Sequence, residues 1–192
     1  MTEGELPRIG ARMAFEVCER FDIGDDARKL LKPEASPLQY LELLKGKKLL
    51  TAAIQFLAHA LPKREAVFWA CVCARSAGTF PDSAALRAAE TWVADPSEKN
   101  RRAGQSAALA DGVHTAAGCA AMAAFVSGGS LGPPEAPPAP PAEHLTSSNV
   151  AGAVLFAAIA KGGGERMSEH LSQFLESGLE VARGTSSWSS RR

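Results

Sequence analysis

The sequence lacks an excess of charge of either sign. Its 192 residues carry 21 Lys and Arg against 21 Asp and Glu, so the formal net charge at pH 7 is zero. Proteins that bind nucleic acid or an anionic membrane through bulk electrostatics are strongly basic. The balance therefore argues against both kinds of partner.

Long apolar runs are missing too. No stretch approaches the roughly 18–20 apolar residues that a membrane-spanning helix requires. Residues 1–7 have neither the basic start nor the apolar segment of a secretory signal. We therefore expect a cytoplasmic protein with no membrane span. In that compartment the cysteines are expected to be small buried side chains, neither disulfide-bonded nor redox-active: Cys18, Cys71, Cys73 and Cys119.

Motifs typical of catalysis or ligand binding are absent as well. The run Gly162-Gly163-Gly164 lacks the lysine and the preceding strand of a phosphate-binding loop, and we expect it to be a helix end and loop. Cys71 and Cys73 are two residues apart, which puts them on different faces of a helix and not side by side around a metal. We predict no catalytic residue, no cofactor and no metal site.

Isolated polar residues suggest little more. His59 and His170 fall on the polar faces of predicted helices and are expected to be solvated, while His114 is expected to lie beside a helix cap and His144 belongs to no pattern. Basic residues at two helix junctions are expected to form a solvated rim, with a site for an acidic partner as the alternative: Lys45, Lys47, Lys48, Lys63 and Arg64. The run Asn100-Arg101-Arg102 is expected to be a polar stripe on its helix.

Alanine, by contrast, is abundant, and it has the highest helix propensity of all residues. No stretch alternates apolar and polar residues as a strand would, so we predict an all-α fold. Ser36-Pro37-Leu38-Gln39 is typical of a capped helix start, and Asp95-Pro96-Ser97-Glu98 repeats the pattern. The predicted helices cover residues 9–20, 26–31, 37–45, 47–61, 62–77, 83–93, 96–110, 115–126, 147–161 and 165–183.

The distribution of apolar residues predicts how these helices pack. Helices 47–61 and 165–183 each have one apolar face. Three other segments, 66–74, 116–126 and 150–160, are apolar around most of their circumference, which predicts central helices. The expected architecture is a compact, Ala-rich helical bundle or a short stack of helix pairs.

Two tryptophans lie among small residues within predicted helices. Alanines and a cysteine surround Trp69, and alanines precede Trp92. Small neighbours leave room for a large ring, so we predict that both side chains are in the core. The alternative is that they are exposed for a partner.

Residues 127–144 interrupt the helical pattern with three glycines and six prolines. Such a segment cannot be helical and favours polyproline II. We expect an extended crossover that carries the chain across the molecule, and the alternative is a ligand for a proline-binding groove. Residues 1–183 are then one helical domain, and the Ser-rich residues 184–192, with Trp188, are expected to be a disordered tail.

Several short sequence segments resemble those of an uncharacterised family of bacterial helical proteins, a domain of unknown function. They are SPLQYL at 36–41, KREAVFWA at 63–70, AETWVADP at 89–96, GGSLGPP at 128–134, and HLT at 144–146 before VAGAV at 150–154. Together they cover about residues 33–184, and the resemblance implies no activity. A weaker similarity, over residues 69–124, is to helical immunity proteins that neutralise bacterial toxins.

Because the sequence contains no recognisable motif for catalysis or for cofactor or metal binding, the first hypothesis for function is a non-enzymatic protein–protein interaction module. It could serve as an adaptor in a bacterial multi-protein system such as a secretion apparatus. The second hypothesis is an immunity or antitoxin-like inhibitor, although the acidic excess that many such inhibitors carry is absent. The third is an enzyme with an unfamiliar site. The oligomeric state is left open.

Overall fold

The structure, a computed structural model, describes residues 5–78, 83–133 and 135–186. Over these residues it is all-helical, with 65% of them in helix and no strand, so the predicted fold class is confirmed. Residues 79–82, Pro134 and Trp188 lie outside the described residues. The domain boundary at residue 183 and the disorder of the tail stay predictions.

Ten α-helices follow one another along the described residues. They are α1 Ala14–Cys18, α2 Asp25–Arg28, α3 Pro37–Gly46, α4 Leu50–Ala60, α5 Lys63–Ala77, α6 Ala84–Ala94, α7 Glu98–Asp111, α8 Ala116–Phe125, α9 Leu145–Ala160 and α10 Met167–Arg183. A single 3-10 turn, Gly164–Arg166, precedes α10. None of the described helices is long and apolar enough to cross a bilayer.

Capping explains where two of these helices begin. At the start of α3, Gln39 N donates to Ser36 Oγ (3.3 Å) and Ser36 N donates to Gln39 Oε1 (2.9 Å), which is the predicted capping box. The second predicted cap is displaced, because Ser97 and not Asp95 caps α7. Asp95 instead accepts the side-chain amide of Asn100 through its backbone oxygen at 2.8 Å. The helix therefore begins after Pro96.

The first helix is much shorter than the predicted 9–20. The Glu16 carboxylate accepts the backbone N–H groups of Arg12 (3.3 Å) and Met13 (3.2 Å), so the helix starts only at Ala14. Farther upstream, Arg8 N donates to Ala182 O of α10 at 3.1 Å. This capping and the distant bond hold the preceding residues outside the helix.

The three predicted central helices, α5, α8 and α9, do pack against one another. Helices α6 and α7 cover one side of this centre, and α4 and α10 cover another. Trp69 of α5 is completely buried and Trp92 of α6 is 5% exposed, which confirms both as core side chains. The indole N–H of Trp69 donates to Phe174 O of α10 at 2.9 Å, so it also ties two layers together.

Helix α10 approaches α4 and α5 closely at a glycine. A Cβ added to Gly178 would lie 2.6 Å from Leu57 Cδ2 and 2.6 Å from Trp69 Cε2. Real Cβ atoms do not approach that closely in a packed interior. The absence of a side chain at Gly178 therefore sets the distance between these three helices.

Candidate functional site

The proline-rich segment, residues 127–144, connects α8 to α9. Its described residues are not helical, as predicted. It does not, however, carry the chain across the molecule. The Thr146 hydroxyl, in the first turn of α9, donates to Val126 O at the end of α8, and the two atoms are 3.1 Å apart. The segment is therefore a loop that leaves and returns to one place on the surface.

Arg101 of α7 anchors the start of this loop. Its guanidinium is buried and donates through Nη1 to Phe125 O, the last carbonyl of α8, and through Nη2 to Ser130 O at 2.9 Å. The guanidinium carbon also lies 4.8 Å from the centre of the Phe125 ring. A cation is favourable at a helix C-terminus, where carbonyls have no helical donor. Arg101 thus caps α8 and holds the loop with one side chain.

The loop backbone fits closely around this side chain. Gly129 has φ +64°, and a Cβ there would lie 2.9 Å from Arg101 Nη2. Both the left-handed backbone and the lack of space favour glycine at this position.

Glu98 orients the anchor. Its carboxylate accepts from Arg101 Nε at 2.6 Å and from Arg102 Nε at 2.7 Å. Arg102 in turn donates to Gly132 O at 3.1 Å, farther along the loop. The hydrogen bond from Arg101, followed by the other contacts of the two arginines, lowers the pKa of Glu98 to about 2. The carboxylate therefore stays ionised throughout the neutral and mildly acidic range.

A second set of bonds fixes the prolines themselves. The Ser130 hydroxyl accepts from Ala139 N at 3.1 Å, and Leu131 N donates to Ala139 O at 2.8 Å. Ala139 is the middle residue of the run Pro137-Pro138-Ala139-Pro140-Pro141. Three of the four prolines are exposed and Pro141 is half-buried. The loop thus presents a proline run whose backbone is held at its centre.

Some of these polar residues are less exposed than their sequence pattern predicts. Arg101 is buried and not part of a solvated stripe. In the predicted basic rim, Lys45, Lys47, Lys48 and Arg64 are exposed, as predicted, whereas Lys63 is half-buried. Lys63 donates to Ser127 O at 2.8 Å, and Arg64 donates to Val93 O at 2.7 Å. The acceptors are carbonyls at or just beyond helix ends that are distant in sequence. No local pattern marks such an acceptor, so no sequence signal could have identified these anchors.

The prediction that His59 is solvated is also wrong. The residue is 7% exposed, and its ring stacks on Phe21 with the ring centres 3.9 Å apart. Nδ1 donates to Gln55 O at 2.8 Å, since a carbonyl only accepts. Burial lowers the pKa of His59, so the ring is neutral at pH 7. Its buried Nε2 has no hydrogen-bond partner among the described residues.

His170 was likewise expected in solvent and is 2% exposed, and neither ring nitrogen has a hydrogen-bond partner in the described part of the chain. The other two histidines are exposed: His114 lies just before the Thr115 cap of α8, as expected, and His144 precedes α9.

A polar cleft of about 490 Å³ lies beside His59. Arg20, Asp22, His144 and Ser148 line it together with the His59 ring. The Arg20 guanidinium is directed to backbone carbonyls, Glu16 O at 3.1 Å and His59 O at 3.4 Å. Because the free nitrogen of His59 is buried, it offers no accessible proton acceptor for catalysis in the cleft.

All four cysteines are free and buried, as predicted. Burial raises the pKa of Cys18 and of Cys119 to about 11 and that of Cys73 to about 12, and it raises the pKa of Cys71 further. Since the thiolate is the reactive and metal-binding form, these side chains act as packing groups. Within the described ranges, no three His, Cys, Asp or Glu side chains are placed to hold one metal ion.

The fold and the anchored loop define an all-helical protein that presents a proline run on its surface. The chain belongs to a family of unknown function, DUF6931, whose model matches residues 40–182. The matched span contains Arg101 and the whole proline-rich segment, and it confirms the resemblance to an uncharacterised helical family. No curated protein and no solved structure matches the chain.

Proposed function

We propose that the protein is a non-enzymatic interaction module that presents the proline run 137–141 to a partner protein. The observation that carries this proposal is the exposure of prolines on a backbone that is fixed at Ala139. A chain that is already ordered loses less conformational entropy on binding than a flexible one. The anchored run is therefore suited to recognition.

The geometry of the connection supports the same proposal. Helix–helix connections usually need only about 2–8 residues, and here the end of α8 and the start of α9 are already in hydrogen-bonding contact. A spacer between them would need only a few residues, and the long loop has no connecting task that accounts for its length. Its anchoring by Arg101 and Arg102 favours a surface that is kept in one shape.

The finer form of the proposal is an adaptor in a multi-protein assembly, such as a secretion apparatus. What supports it is the combination of a packed helical scaffold with one presented segment, which suits a protein that joins others. The absence of an enzymatic activity stays a prediction, as does the cytoplasmic location.

Affinity purification of the full chain from its native host tests the proposal. The test variant carries Pro137→Ala, Pro138→Ala, Pro140→Ala and Pro141→Ala. A matched control carries Pro33→Ala and Pro96→Ala, which are exposed prolines outside the loop. We expect a partner that the wild type and the control capture and that the loop variant loses, with all three proteins melting at similar temperatures.

Other outcomes of the purification contradict the proposal. A partner that the loop variant still binds would place the interaction surface elsewhere. A captured toxin whose activity the protein blocks through another surface would favour the immunity-type alternative. Turnover of a co-purified metabolite would favour the enzyme alternative.

A further inference from the structure

We infer that the partner has an aromatic-lined groove with a basic rim, and that this groove contacts the edge of the loop formed by Pro137 and Pro140. The inference rests on the proposed function, because it names the chemistry of the partner that the loop would bind. It follows from the covalent geometry of the run, from the exposure of its residues and from the charges that flank it.

The covalent geometry of the run favours one conformation. In Pro137-Pro138-Ala139-Pro140-Pro141, each proline has its φ restricted to about −65°. Ala139 precedes a proline, which disfavours helical backbone and favours an extended one. The run is thereby biased to polyproline II, which has 3 residues per turn. Residues three apart share an edge of such a helix, so Pro137 lies above Pro140 and Pro138 above Pro141.

The anchoring distinguishes these edges. Ala139 belongs to the third edge, and its N–H and C=O are bonded to Ser130 and Leu131 of the same loop. Pro141 is half-buried, which leaves the edge of Pro138 and Pro141 only partly accessible. Pro137 and Pro140 are both exposed. They form the one edge of the run with both prolines free to enter a groove.

An exposed apolar side chain lies next to the run. Leu131 is 37% exposed, and its backbone N–H is bonded to Ala139 O at 2.8 Å. It therefore lies directly beside the proline run. Grooves that bind polyproline II are lined by aromatic side chains, which pack well on proline rings and on a neighbouring leucine.

The charges on either side of the proline run indicate the charge at the rim of the partner's groove. Residues 127–144 contain Glu135 and Glu143 and no Lys or Arg. Both glutamates are exposed, and neither forms an ion pair within the described residues. Charges at the edge of an interface mainly select the partner and its orientation. Two free carboxylates at the ends of the run match lysines or arginines and repel a groove with an acidic rim.

The experiment titrates the full-length, ¹⁵N-labelled protein with three purified probes of the polyproline-binding class: a WW domain, an SH3 domain and an EVH1 domain. Each probe is used in two versions, one with Lys and one with Glu at the rim of its groove. The amide signals of Leu131, Ala136, Ala139 and Ala142 report on the loop, because proline has no N–H. We expect at least one Lys-rimmed probe to shift these signals saturably at concentrations up to about 1 mM.

Two matched double variants test the edge. Pro137→Ala with Pro140→Ala should weaken binding at least about tenfold, whereas Pro138→Ala with Pro141→Ala should weaken it less than about threefold. Both variants remove two prolines from the same run, so each loses two restricted φ angles. Glu135→Lys with Glu143→Lys should reverse the preference for the Lys-rimmed probe. Unchanged signals from the helices show in each case that the variant is folded.

Three results would overturn the inference: no shift with any probe, equal effects of the two double variants, or no preference between the rims. Any of these, combined with a host partner that is still lost when all four prolines are changed, would leave the proposed function intact. A host partner that is insensitive to the four prolines would overturn both proposals.

Discussion

Replacement of Arg101 by methionine should strongly destabilise the protein, because Arg101 is a buried side chain with several hydrogen bonds. Methionine retains much of the apolar stem but removes every N–H donor. The side chain of Arg101 is only 5% exposed, so its bonds to Phe125 O and Ser130 O are largely shielded from water. A hydrogen bond to a charged group contributes about 1.5–3 kcal/mol. The loss of both predicts a decrease of about 3–6 kcal/mol in the free energy of unfolding.

Arg102→Met is the matched control. Arg102 is the next residue on α7, pairs with the same Glu98 and also donates to a loop carbonyl, but its side chain is 27% exposed. Exposed ion pairs contribute about 0–1 kcal/mol, and a partly exposed hydrogen bond such as that to Gly132 O adds about 0.5–1.5 kcal/mol. This variant should therefore lose less than about 2.5 kcal/mol and be more stable than Arg101→Met. Both variants lose a guanidinium group, and they differ mainly in how deeply that group is buried.

Urea denaturation followed by circular dichroism measures both free energies. Amide hydrogen exchange adds a local readout, since the N–H groups of Leu131 and Ala139 should exchange faster in Arg101→Met as the loop loosens. Arg101→Lys should be intermediate, because an ammonium group keeps the charge but not the planar fork. If Arg101→Met and Arg102→Met are equally stable, the buried guanidinium does not hold the loop and the reasoning is refuted.

Four further predictions concern the core and the pH dependence. Trp69→Ala should cost about 3–5 kcal/mol and lower the melting temperature sharply, whereas Trp188→Ala should leave it nearly unchanged; a stable Trp69→Ala variant that loses a partner would mean that the ring is functional. Gly178→Ala, whose new Cβ would lie 2.6 Å from Leu57 Cδ2, should destabilise the protein in thermal melts, and a neutral result would show that α10 can move away. The pKa of His59 is lowered on folding, so the unfolded chain binds more protons in acid than the folded chain does. The free energy of unfolding should therefore fall as the pH drops through about 6.5 and below. The variant His59→Phe should lack this part of the pH dependence. The pKa of Glu98 is lowered from 4.5 to about 2, so its contribution to stability should be present above pH 4.5 and lost as the pH falls toward 2, which acid titrations of the wild type and of Glu98→Gln can compare.

Much of the fold could be read from local sequence. Alanine content, apolar periodicity and the Ser36 cap act within one helix, over distances of three or four residues. They can therefore be recognised in the sequence without knowing which other helices pack nearby. The same holds for residues 127–144, since proline removes a backbone donor and restricts φ wherever it stands. The burial of Trp69 and Trp92 followed from the small residues around each ring. These features are properties of the chain itself.

Which polar residues are buried was decided by the tertiary structure. Periodicity puts Arg101 and His59 on polar helix faces, but it does not indicate which other segment covers such a face. Phe21, from the segment between α1 and α2, stacks on His59. The backbone at Gly129 lies against Arg101. Either contact joins residues that are distant along the chain, and a pattern within one helix contains no information about the other partner.

The course of the proline-rich loop shows the same division. Its non-helical backbone is determined by its own prolines, whereas its return to the end of α8 depends on the packing of α8 against α9 and on the bond from Thr146 to Val126 O. The sequence by itself thus determined that a stiff, extended run exists. The tertiary structure decided that this run is a surface loop held by Arg101, because only the packed helices bring a buried guanidinium to carbonyls that have no donor of their own.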